Sequence, residues 1–281
     1  MWCVAQLPYR AAIRVGEAIG MLLYPFTVRR RRIVAVNLKL CFPELSAAER
    51  RALARKNFRY TGRTVAEMAL SWWAPASRLP QLANFHGLEH LRAAEARGRG
   101  VLLVGGHFTP MEMAARLTSF ETRIDTIYRP NKNPVLEYLT ARFRQRHYGE
   151  PISRKDMRML VRRLRQGRVV WYPPDQDYGR RHAVFVPFFG VPAATVSATS
   201  RIARLSGATV VPISFYGRDD ASGYDIVFHP PLEDYPGDDP AADALRLNQF
   251  FEEAIRRAPE QYLWVHRRFK TRPNLDDRQF Y

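Results

Sequence analysis

The sequence predicts an α/β fold in which a sheet is covered by helices. Apolar runs of strand length occur at residues 101–104, 168–172 and 208–215. Stretches of helical character, such as residues 133–147 and 241–258, alternate with them. Strands that alternate with helices along a chain are typical of a sheet with helical cover. With 281 residues, of which 46% are hydrophobic, the chain is long enough to bury a substantial core.

The N-terminal segment, residues 1–32, is predicted to be an amphipathic, membrane-associating helix with a basic cluster. Residues 1–27 are apolar and amphipathic, and four arginines follow at 29–32. An apolar helix that ends in cations is typical of a segment lying on an anionic membrane surface. The alternative is a buried N-terminal helix with a solvated basic end. No stretch reaches 18 uncharged apolar residues, so no membrane-spanning helix is predicted.

The remaining residues, 33–281, are predicted to form one domain with a helical part at 33–99 and an α/β core at 100–281. Ser46 and Glu49 form a capping-box pattern that predicts a helix to about Leu70, and a short helix is predicted at 88–97. Within the core, strands are predicted at 101–104, 123–128, 168–172, 208–215 and 224–228, and helices at 110–120, 133–147, 155–166, 195–206 and 241–258.

The charge of the chain indicates an anionic partner. Lys and Arg together number 44 against 27 Asp and Glu, a net charge of +17, and only five of the 44 are lysines. The arginine bias reflects either a compositional habit or a need for forked donors that bind phosphate or carboxylate. Nucleic acid is disfavoured as the partner, because the charge is spread along the chain and no zinc-finger, zipper or RNA-binding pattern appears. The two cysteines, Cys3 and Cys41, exclude a disulfide scaffold.

The strongest candidate site follows the first core strand, in the run Gly105-Gly106-His107 through Glu112. Sites of open α/β sheets gather at the carboxyl ends of strands. A histidine held by a Gly-Gly turn near a carboxylate suits a general base and its orienting partner. His107 and Glu112 can meet if His107 lies in the loop and Glu112 in the first helical turn. The alternative is that Thr109 and Glu112 form a capping box and His107 satisfies a buried polar contact.

Three further runs carry polar or aromatic residues of interest. Asp175 and Asp177, in PDQDYG at 174–179, are candidate metal ligands or turn residues. The apolar run at 184–190 suits either core or the lining of an acyl channel. The run at 259–273, where aromatic residues alternate with four basic ones, suits an anionic head group or a nucleic-acid backbone, with a solvated tail as the alternative. A fourth, basic stretch from Arg154 to Arg168 suits a solvated face or a docking surface for an acidic carrier protein.

These runs, in this order, resemble the late acyltransferases of lipid A biosynthesis, the lauroyl/myristoyl transferase family of Gram-negative bacteria. The resemblance covers about residues 29–272. Its marks are Asn37-Leu38 with CFPE at 41–44, Gly106-His107 through Glu112, YRP at 128–130, PDQDYG at 174–179, FVPFFG at 185–190 and PEQYLWVHRRFKTRP at 259–273. The H-x4-[D/E] element is shared with many glycerolipid acyltransferases, whereas HRRFKTRP together with PDQDYG is much more specific.

The resemblance implies a glycerolipid-acyltransferase-like core with a mixed sheet, in an inner-membrane enzyme that faces the cytoplasm. It implies acyl carrier protein as the acyl donor and a lipid A precursor with 3-hydroxyacyl chains as the acceptor. His107 and Glu112 match the catalytic pair of the family. Arg144 and Asp175 match its other functional residues, and Arg129 and Gly106 belong to the matching motifs and are expected to bind substrate.

The mechanism expected from these residues needs no metal and no other cofactor. His107 takes the proton of the acceptor hydroxyl, and Glu112 is expected to bond the other ring nitrogen and fix the tautomer. A backbone N–H of the Gly105-Gly106 turn or Arg144 is expected to stabilise the oxyanion. The nearest alternative is an acyltransferase that acts on another acceptor, such as lysophosphatidic acid or a glycolipid. A catalytically inactive membrane scaffold is disfavoured by the intact His107 and Glu112.

Overall fold

The computed structural model describes residues 1–181, 183–274 and 276–281. In these ranges the helices are α1 Trp2–Gln6, α2 Tyr9–Leu23, α3 Val28–Cys41, α4 Ala47–Trp73, α5 Leu88–Ala96, α6 Met111–Thr118, α7 Pro134–His147, α8 Met157–Arg165, α9 Ala198–Ser206 and α10 Pro240–Arg257. The strands are β1 Ala83–His86, β2 Val101–Gly105, β3 Ile124–Tyr128, β4 Pro151–Ser153, β5 Val169–Tyr172, β6 Ala183–Phe188, β7 Val191–Val196, β8 Thr209–Gly217 and β9 Tyr224–Phe228.

Seven strands form one mixed sheet, in the order β1-β9-β8-β2-β5-β3-β4. All neighbours run parallel except β8 and β9, which are antiparallel. The central strand β2 is buried along its whole length, from Val101 to Gly105, because helices cover both faces of the sheet. The structure therefore confirms the predicted α/β class and the mixed sheet covered by helices.

The predicted strands and helices occur, together with four strands that the sequence pattern missed. β1 and β4 have only four and three residues, too few for alternation to stand out. The other two, β6 and β7, form a separate hairpin. The helix predicted at 195–206 begins only at Ala198, because Thr195 and Val196 pair with β6 and end the hairpin.

The helical layer is built on α4, which has 27 residues. It begins with the predicted capping box, in which the Ser46 hydroxyl accepts from the Glu49 N–H and the Glu49 carboxylate accepts from the Ser46 N–H. Helices α2 and α4 are packed so closely that their backbones are in contact at Gly16 and Gly62. A Cβ at Gly16 would lie 2.9 Å from the Gly62 carbonyl oxygen. Beside this contact the Arg63 Nε donates to the buried Glu17 carboxylate at 2.7 Å. The α2 helix is thus fixed to the domain on one side.

The other side of the N-terminal segment is apolar and exposed. Trp2, Leu22, Leu23, Phe26 and Val28 are each at least half exposed. Taken alone, none of the described helices has the length and apolar character to cross a membrane. By length and composition, the bent pair Tyr9–Phe26 and Val28–Cys41, with 97° between its halves, meets that requirement. The separation of residues 1–32 from residues 33–281 stays a prediction.

Candidate functional site

The site is assembled by two neighbouring strands that end at the same edge of the sheet. In the parallel pair β2 and β5, Val104 lies opposite Tyr172. His107 and Asp175 are each three residues beyond that pair, in the loops that leave the two strands. Because parallel strands deliver their loops to one edge, the two side chains meet there, although 68 residues separate them in sequence.

His107 and Asp175 form a hydrogen-bonded pair. The His107 Nδ1 lies 2.6 Å from Asp175 Oδ1, and the His107 backbone N–H donates to Asp175 Oδ2 at 2.8 Å. Tyr262 adds a third donor, its hydroxyl at 2.9 Å from Oδ2. With Nδ1 committed to the carboxylate, Nε2 is the nitrogen that remains for a proton transfer. The His107 side chain keeps 16% of its surface exposed and lines a cavity.

Asp175 is fully buried, yet it is held as a carboxylate. Burial alone would raise its pKa, because the charged form loses water. The charge of His107 and the hydrogen bonds from His107 and Tyr262 outweigh burial and lower the pKa of Asp175 below its usual range. A permanent negative charge behind an imidazole orients the ring and stabilises the imidazolium that forms when the ring takes a proton.

Glu112 lies in the first turn of α6, as predicted, but it does not orient His107. Its carboxylate accepts from Arg144 Nη2 at 2.7 Å, from Trp72 Nε1 at 3.2 Å and from the Tyr148 hydroxyl at 3.3 Å. The expected bond from Glu112 to the imidazole is corrected here, since Nδ1 is bonded to Asp175. The physical reason is that α6 turns Glu112 toward α4 and α7, where Arg144 neutralises its buried charge and Trp72 and Tyr148 add neutral hydrogen bonds.

The alternative of a capping box at this helix is also wrong. The side chain of Thr109 makes no cap hydrogen bond, and α6 begins after Pro110 without one. Glu112 is therefore an ion-pair partner of α7 rather than a helix cap. Coulombic attraction to Glu112 raises the pKa of Arg144 although burial acts to lower it.

Of the other predicted substrate-binding residues, Arg144 and Arg129 line the cavity that contains His107, and Gly106 does not. Arg144 lines the same cavity as His107, but Glu112 occupies its Nε and Nη2. Arg129 is exposed at the cavity rim. Gly106 is buried in the loop before His107, where a Cβ would lie 3.1 Å from the Phe108 ring. Trp171, which the sequence did not single out, packs its ring edge to face against His107 with centroids 6.1 Å apart.

The cavity beside His107 is large and strongly basic. It has a volume of about 1670 Å³, and its lining includes apolar residues such as Leu160, Trp171 and Ile202. Eleven arginines and lysines line it, against one carboxylate, Asp177, within the described ranges. Five of these cations lie on α8 and α9: Arg158, Arg162, Arg165, Arg201 and Arg204.

The apolar run at 184–190 belongs to the core. It forms most of β6 and the turn of the hairpin, and Phe188 is fully buried, with its ring centroid 6.1 Å from that of Phe269. No residue of this run is among the described residues that line the cavity. Of the two interpretations that the sequence left open, the structure supports core for Val186, Phe188 and Phe189, whereas Pro187 and Gly190 are exposed.

The run at 259–273 packs against the PDQDYG loop and the β6–β7 hairpin and is not an exposed basic tail. Arg268 is buried and donates to the Ala194 carbonyl and to the Thr195 hydroxyl. Among its other cations, Lys270 lines the cavity. Tyr262 and His266, which the sequence did not single out within this run, contact the PDQDYG loop. In the sequence, this segment stood out only by its alternation of aromatic and basic residues, which did not predict the contacts of Tyr262 and His266.

The second aspartate of PDQDYG is a turn residue. Asp177 accepts from the Gly179 N–H and the Thr271 hydroxyl through Oδ1, and from the Thr271 N–H through Oδ2. Within residues 1–181, 183–274 and 276–281, no three His, Cys, Asp or Glu side chains are grouped as metal ligands. Of the two readings for Asp177, the turn is confirmed.

Comparison with known proteins agrees with the motifs. The family model described as bacterial lipid A biosynthesis acyltransferase matches residues 1–271. The lipid A biosynthesis lauroyltransferase of Escherichia coli is 43% identical over 97% of this chain and 90% of its own. The palmitoleoyltransferase of that pathway in E. coli is 40% identical over 97% and 89%. The E. coli myristoyltransferase is 31% identical over 86% and 76%.

Proposed function

We propose a specific reaction for this chain, which belongs to the family of bacterial lipid A biosynthesis acyltransferases. It is an acyltransferase whose acceptor is a lipid A precursor. The proposal is that the donor is acyl carrier protein, and that the chain is transferred to the hydroxyl of a 3-hydroxyacyl group. The observation that carries it is the pair of His107 and Asp175 at the cavity, with Nε2 of His107 available to a hydroxyl.

The reaction begins with His107 as general base. Its Nε2 takes the proton of the acceptor hydroxyl while the oxygen attacks the carbonyl carbon of the thioester. The tetrahedral intermediate collapses, the C–S bond breaks, and the imidazolium returns the proton to the departing thiolate. Asp175 holds the ring and compensates its transient positive charge, a role that sequence reasoning gave to Glu112. General base catalysis of this kind contributes about 10²–10⁴-fold to the rate.

Glu112 and Arg144 act together at the cavity wall in this proposal. The carboxylate receives both Nε and Nη2 of the guanidinium, which fixes the plane and the position of Arg144. Arg144 presents its remaining donors toward the cavity and binds an anionic group of the substrate. Glu112 thus acts through Arg144 as a positioning residue, and the pair is required as a unit.

The charge of the cavity supports anionic substrates on both sides of the reaction. The arginines and lysines that line the cavity have few carboxylates nearby to neutralise them, so they attract the phosphates of a lipid A precursor and the acidic surface of a carrier protein. The apolar lining between them accommodates an acyl chain. This combination favours a phosphorylated lipid acceptor over a neutral glycolipid, which would leave the cations of the rim without partners.

The exposed apolar face of residues 1–32 supports association with the cytoplasmic face of the inner membrane. Leu22, Leu23 and Phe26 lie next to the four arginines at 29–32, so apolar insertion and attraction to anionic lipids act together. Replacing Leu22, Leu23 and Phe26 by serine is expected to abolish sedimentation with vesicles containing anionic lipid. Val135→Ser, which alters an exposed apolar residue elsewhere, is the matched control. Unchanged sedimentation of the triple variant would refute this contact.

The reaction is tested by mass spectrometry of the acceptor. Purified protein is mixed with lauroyl, myristoyl and palmitoleoyl thioesters of acyl carrier protein and with a lipid A precursor or lysophosphatidic acid. We expect one added acyl chain on the lipid A precursor and a loss of about 10³-fold or more for His107→Ala, which removes the base. Wild-type turnover by His107→Ala would refute the assignment of the base. Transfer to lysophosphatidic acid alone would keep the chemistry and overturn the acceptor.

A further inference from the structure

A second histidine, His266, lies in the wall of the cavity that contains His107. Its segment is attached directly to the catalytic loops. The Leu263 N–H donates to the His107 carbonyl at 2.9 Å, and the Tyr262 hydroxyl donates to Asp175. The backbone of His266 is fixed as well, because Asn37 Nδ2 donates to its carbonyl at 2.7 Å. His266 is thus held in place relative to the reacting groups, and the reaction described above gives it no role.

The hydrogen bond at one ring nitrogen sets the tautomer of His266. The backbone N–H of Asp177 lies 3.1 Å from Nε2. A peptide N–H only donates, so Nε2 is the acceptor and a neutral ring carries its proton on Nδ1. Asp177 cannot shift freely, because its carboxylate is bonded to Gly179 and Thr271. The tautomer is therefore imposed by the backbone of the PDQDYG loop.

His266 stays neutral, and its Nδ1–H is available. Burial lowers the pKa of His266 to about 4, with Lys270 and Arg268 acting in the same direction, against the opposing charge of Asp175. Within the described part of the chain, the Nε2 contact is the hydrogen bond of this ring, and Nδ1 is not among the side-chain polar atoms that are both buried and without a partner. An accessible donor on a neutral imidazole at a reaction cavity is suited to polarising a carbonyl.

We propose that His266 is a second catalytic imidazole, whose Nδ1–H donates to the carbonyl oxygen of the acyl thioester. This rests on the proposed function. As the acceptor oxygen bonds to the carbonyl carbon, the C=O π pair moves onto the oxygen, and Nδ1–H of His266 stabilises that charge. The pair returns when the C–S bond breaks. His266 neither gains nor loses a proton, whereas His107 carries the proton from hydroxyl to thiolate.

Arg144, one donor expected from the sequence, directs Nε and Nη2 to Glu112, and its remaining donors are assigned above to an anionic group of the substrate. The backbone N–H of His107, next to the Gly105-Gly106 turn, donates to Asp175. The two histidines then have the same tautomer, with the proton on Nδ1, but they offer opposite ring nitrogens to the reaction. His107 directs its proton-bearing Nδ1 to Asp175 and offers Nε2 as the base, whereas His266 accepts at Nε2 and offers the Nδ1 proton.

The test uses the different reach of asparagine and glutamine. In His266→Asn the amide lies at the δ position, so a donor replaces Nδ1–H and the contact with Asp177 is lost. In His266→Gln the amide lies at the ε position, so the acceptor for the Asp177 N–H is kept and the donor at Nδ1 is lost. His266→Ala removes both. His229→Asn, at a part-buried imidazole that contacts Ser214 away from the cavity, is the control.

We expect His266→Ala and His266→Gln to lower kcat by about 10²–10³-fold, with KM for the donor and the melting temperature little changed. His266→Asn is expected to exceed His266→Gln by at least about tenfold in kcat. If His266 serves only to hold the PDQDYG loop through the Asp177 N–H, then kcat of His266→Gln will be higher than kcat of His266→Asn, and that order overturns the proposal. Near wild-type kcat in His266→Ala also overturns it.

The outcome is separable from that of the proposed function. Thioester hydrolysis by water, followed without any acceptor, passes through the same oxyanion and provides a second measurement. If the wild type transfers only to another acceptor, the variants are ranked with that acceptor, and the inference on His266 stands or falls by itself. If the wild type shows neither transfer nor thioester hydrolysis that depends on His107, both proposals fall.

Discussion

Two buried carboxylates, Asp175 at the edge of the sheet and Glu67 in the helical layer, have pKa values that are shifted in opposite directions. Asp175 accepts from His107 twice and from Tyr262, and its pKa is lowered. Glu67 accepts from the Tyr224 hydroxyl at Oε1, and its Oε2 has no partner among the described residues. Burial raises the pKa of Glu67 to about 7, against the lowering effects of Tyr224 and Arg63.

In this fold, the hydrogen-bond donors and charges next to a buried carboxylate, rather than its burial, determine the direction of its pKa shift. Both groups lose nearly all contact with water. The strand-end loops bring one backbone N–H and the imidazole of His107 to Asp175, and Tyr262 adds a hydroxyl. Glu67 on α4 has the Tyr224 hydroxyl as its hydrogen-bond donor among the described residues. The charged carboxylate is at the reaction cavity, and the one whose charge is disfavoured is in the scaffold.

The largest effect is expected from Asp175→Asn, which removes the charge of this carboxylate. The amide has the same shape but no charge, and it cannot accept at both former positions. We expect kcat to fall by about 10⁴-fold, because the imidazole loses its fixed tautomer and its compensating charge. Turnover is measured by the acyl-transfer assay, with circular dichroism to confirm the fold. Tyr262→Phe removes one donor and leaves the pair intact, so its loss must be smaller, and a loss equal to that of Asp175→Asn would contradict this account.

A second test asks whether the ion pair of Glu112 and Arg144 behaves as a unit. Glu112→Gln and Arg144→Met are each expected to lower kcat/KM by about 10²-fold, because a misplaced or absent guanidinium no longer holds the substrate. In a double-mutant cycle the combined variant is expected to lose little more than either single variant. Losses that multiply would show that the two residues act independently.

The smallest effect is expected in stability, from Glu67→Gln. A folded-state pKa of about 7 lies above the ordinary value of 4.5, so the stability contributed by Glu67 is full below pH 4.5 and is lost as pH rises to 7. Relative to wild type, Glu67→Gln should therefore gain free energy of unfolding, by about 2.5 kcal/mol between pH 5 and pH 8.

Urea denaturation of both proteins at pH 5 and pH 8 measures this difference. Partly buried histidines such as His147, whose pKa burial lowers to about 4, titrate in the opposite sense in both proteins, and their contributions cancel. A difference between the two proteins that does not change with pH would contradict the buried, protonated state of Glu67. Acyl transfer by Glu67→Gln is expected to match that of wild type, because Glu67 lies outside the cavity.

Much of the molecule was predictable from local pattern. The capping box at Ser46, the strand at 101–104 and its Gly-Gly turn, and the helices that follow depend on periodicity and on residues a few positions apart. The same local order marked His107 and, through several motifs together, the family. The short strands β1 and β4 were not predicted, because three or four residues of alternation carry little signal. The hairpin of β6 and β7 was not predicted, because an apolar run does not reveal its strand partner.

Local sequence patterns were enough to predict the class of fold, the family and the histidine that follows β2. The partner of each charged side chain, in contrast, depends on the tertiary structure. Asp175 reaches His107 because the β2 and β5 register places their loops side by side across 68 residues. Glu112, five residues from His107, is turned away to Arg144 by the direction of α6. Side-chain partners depend on distances between elements, which no local pattern contains.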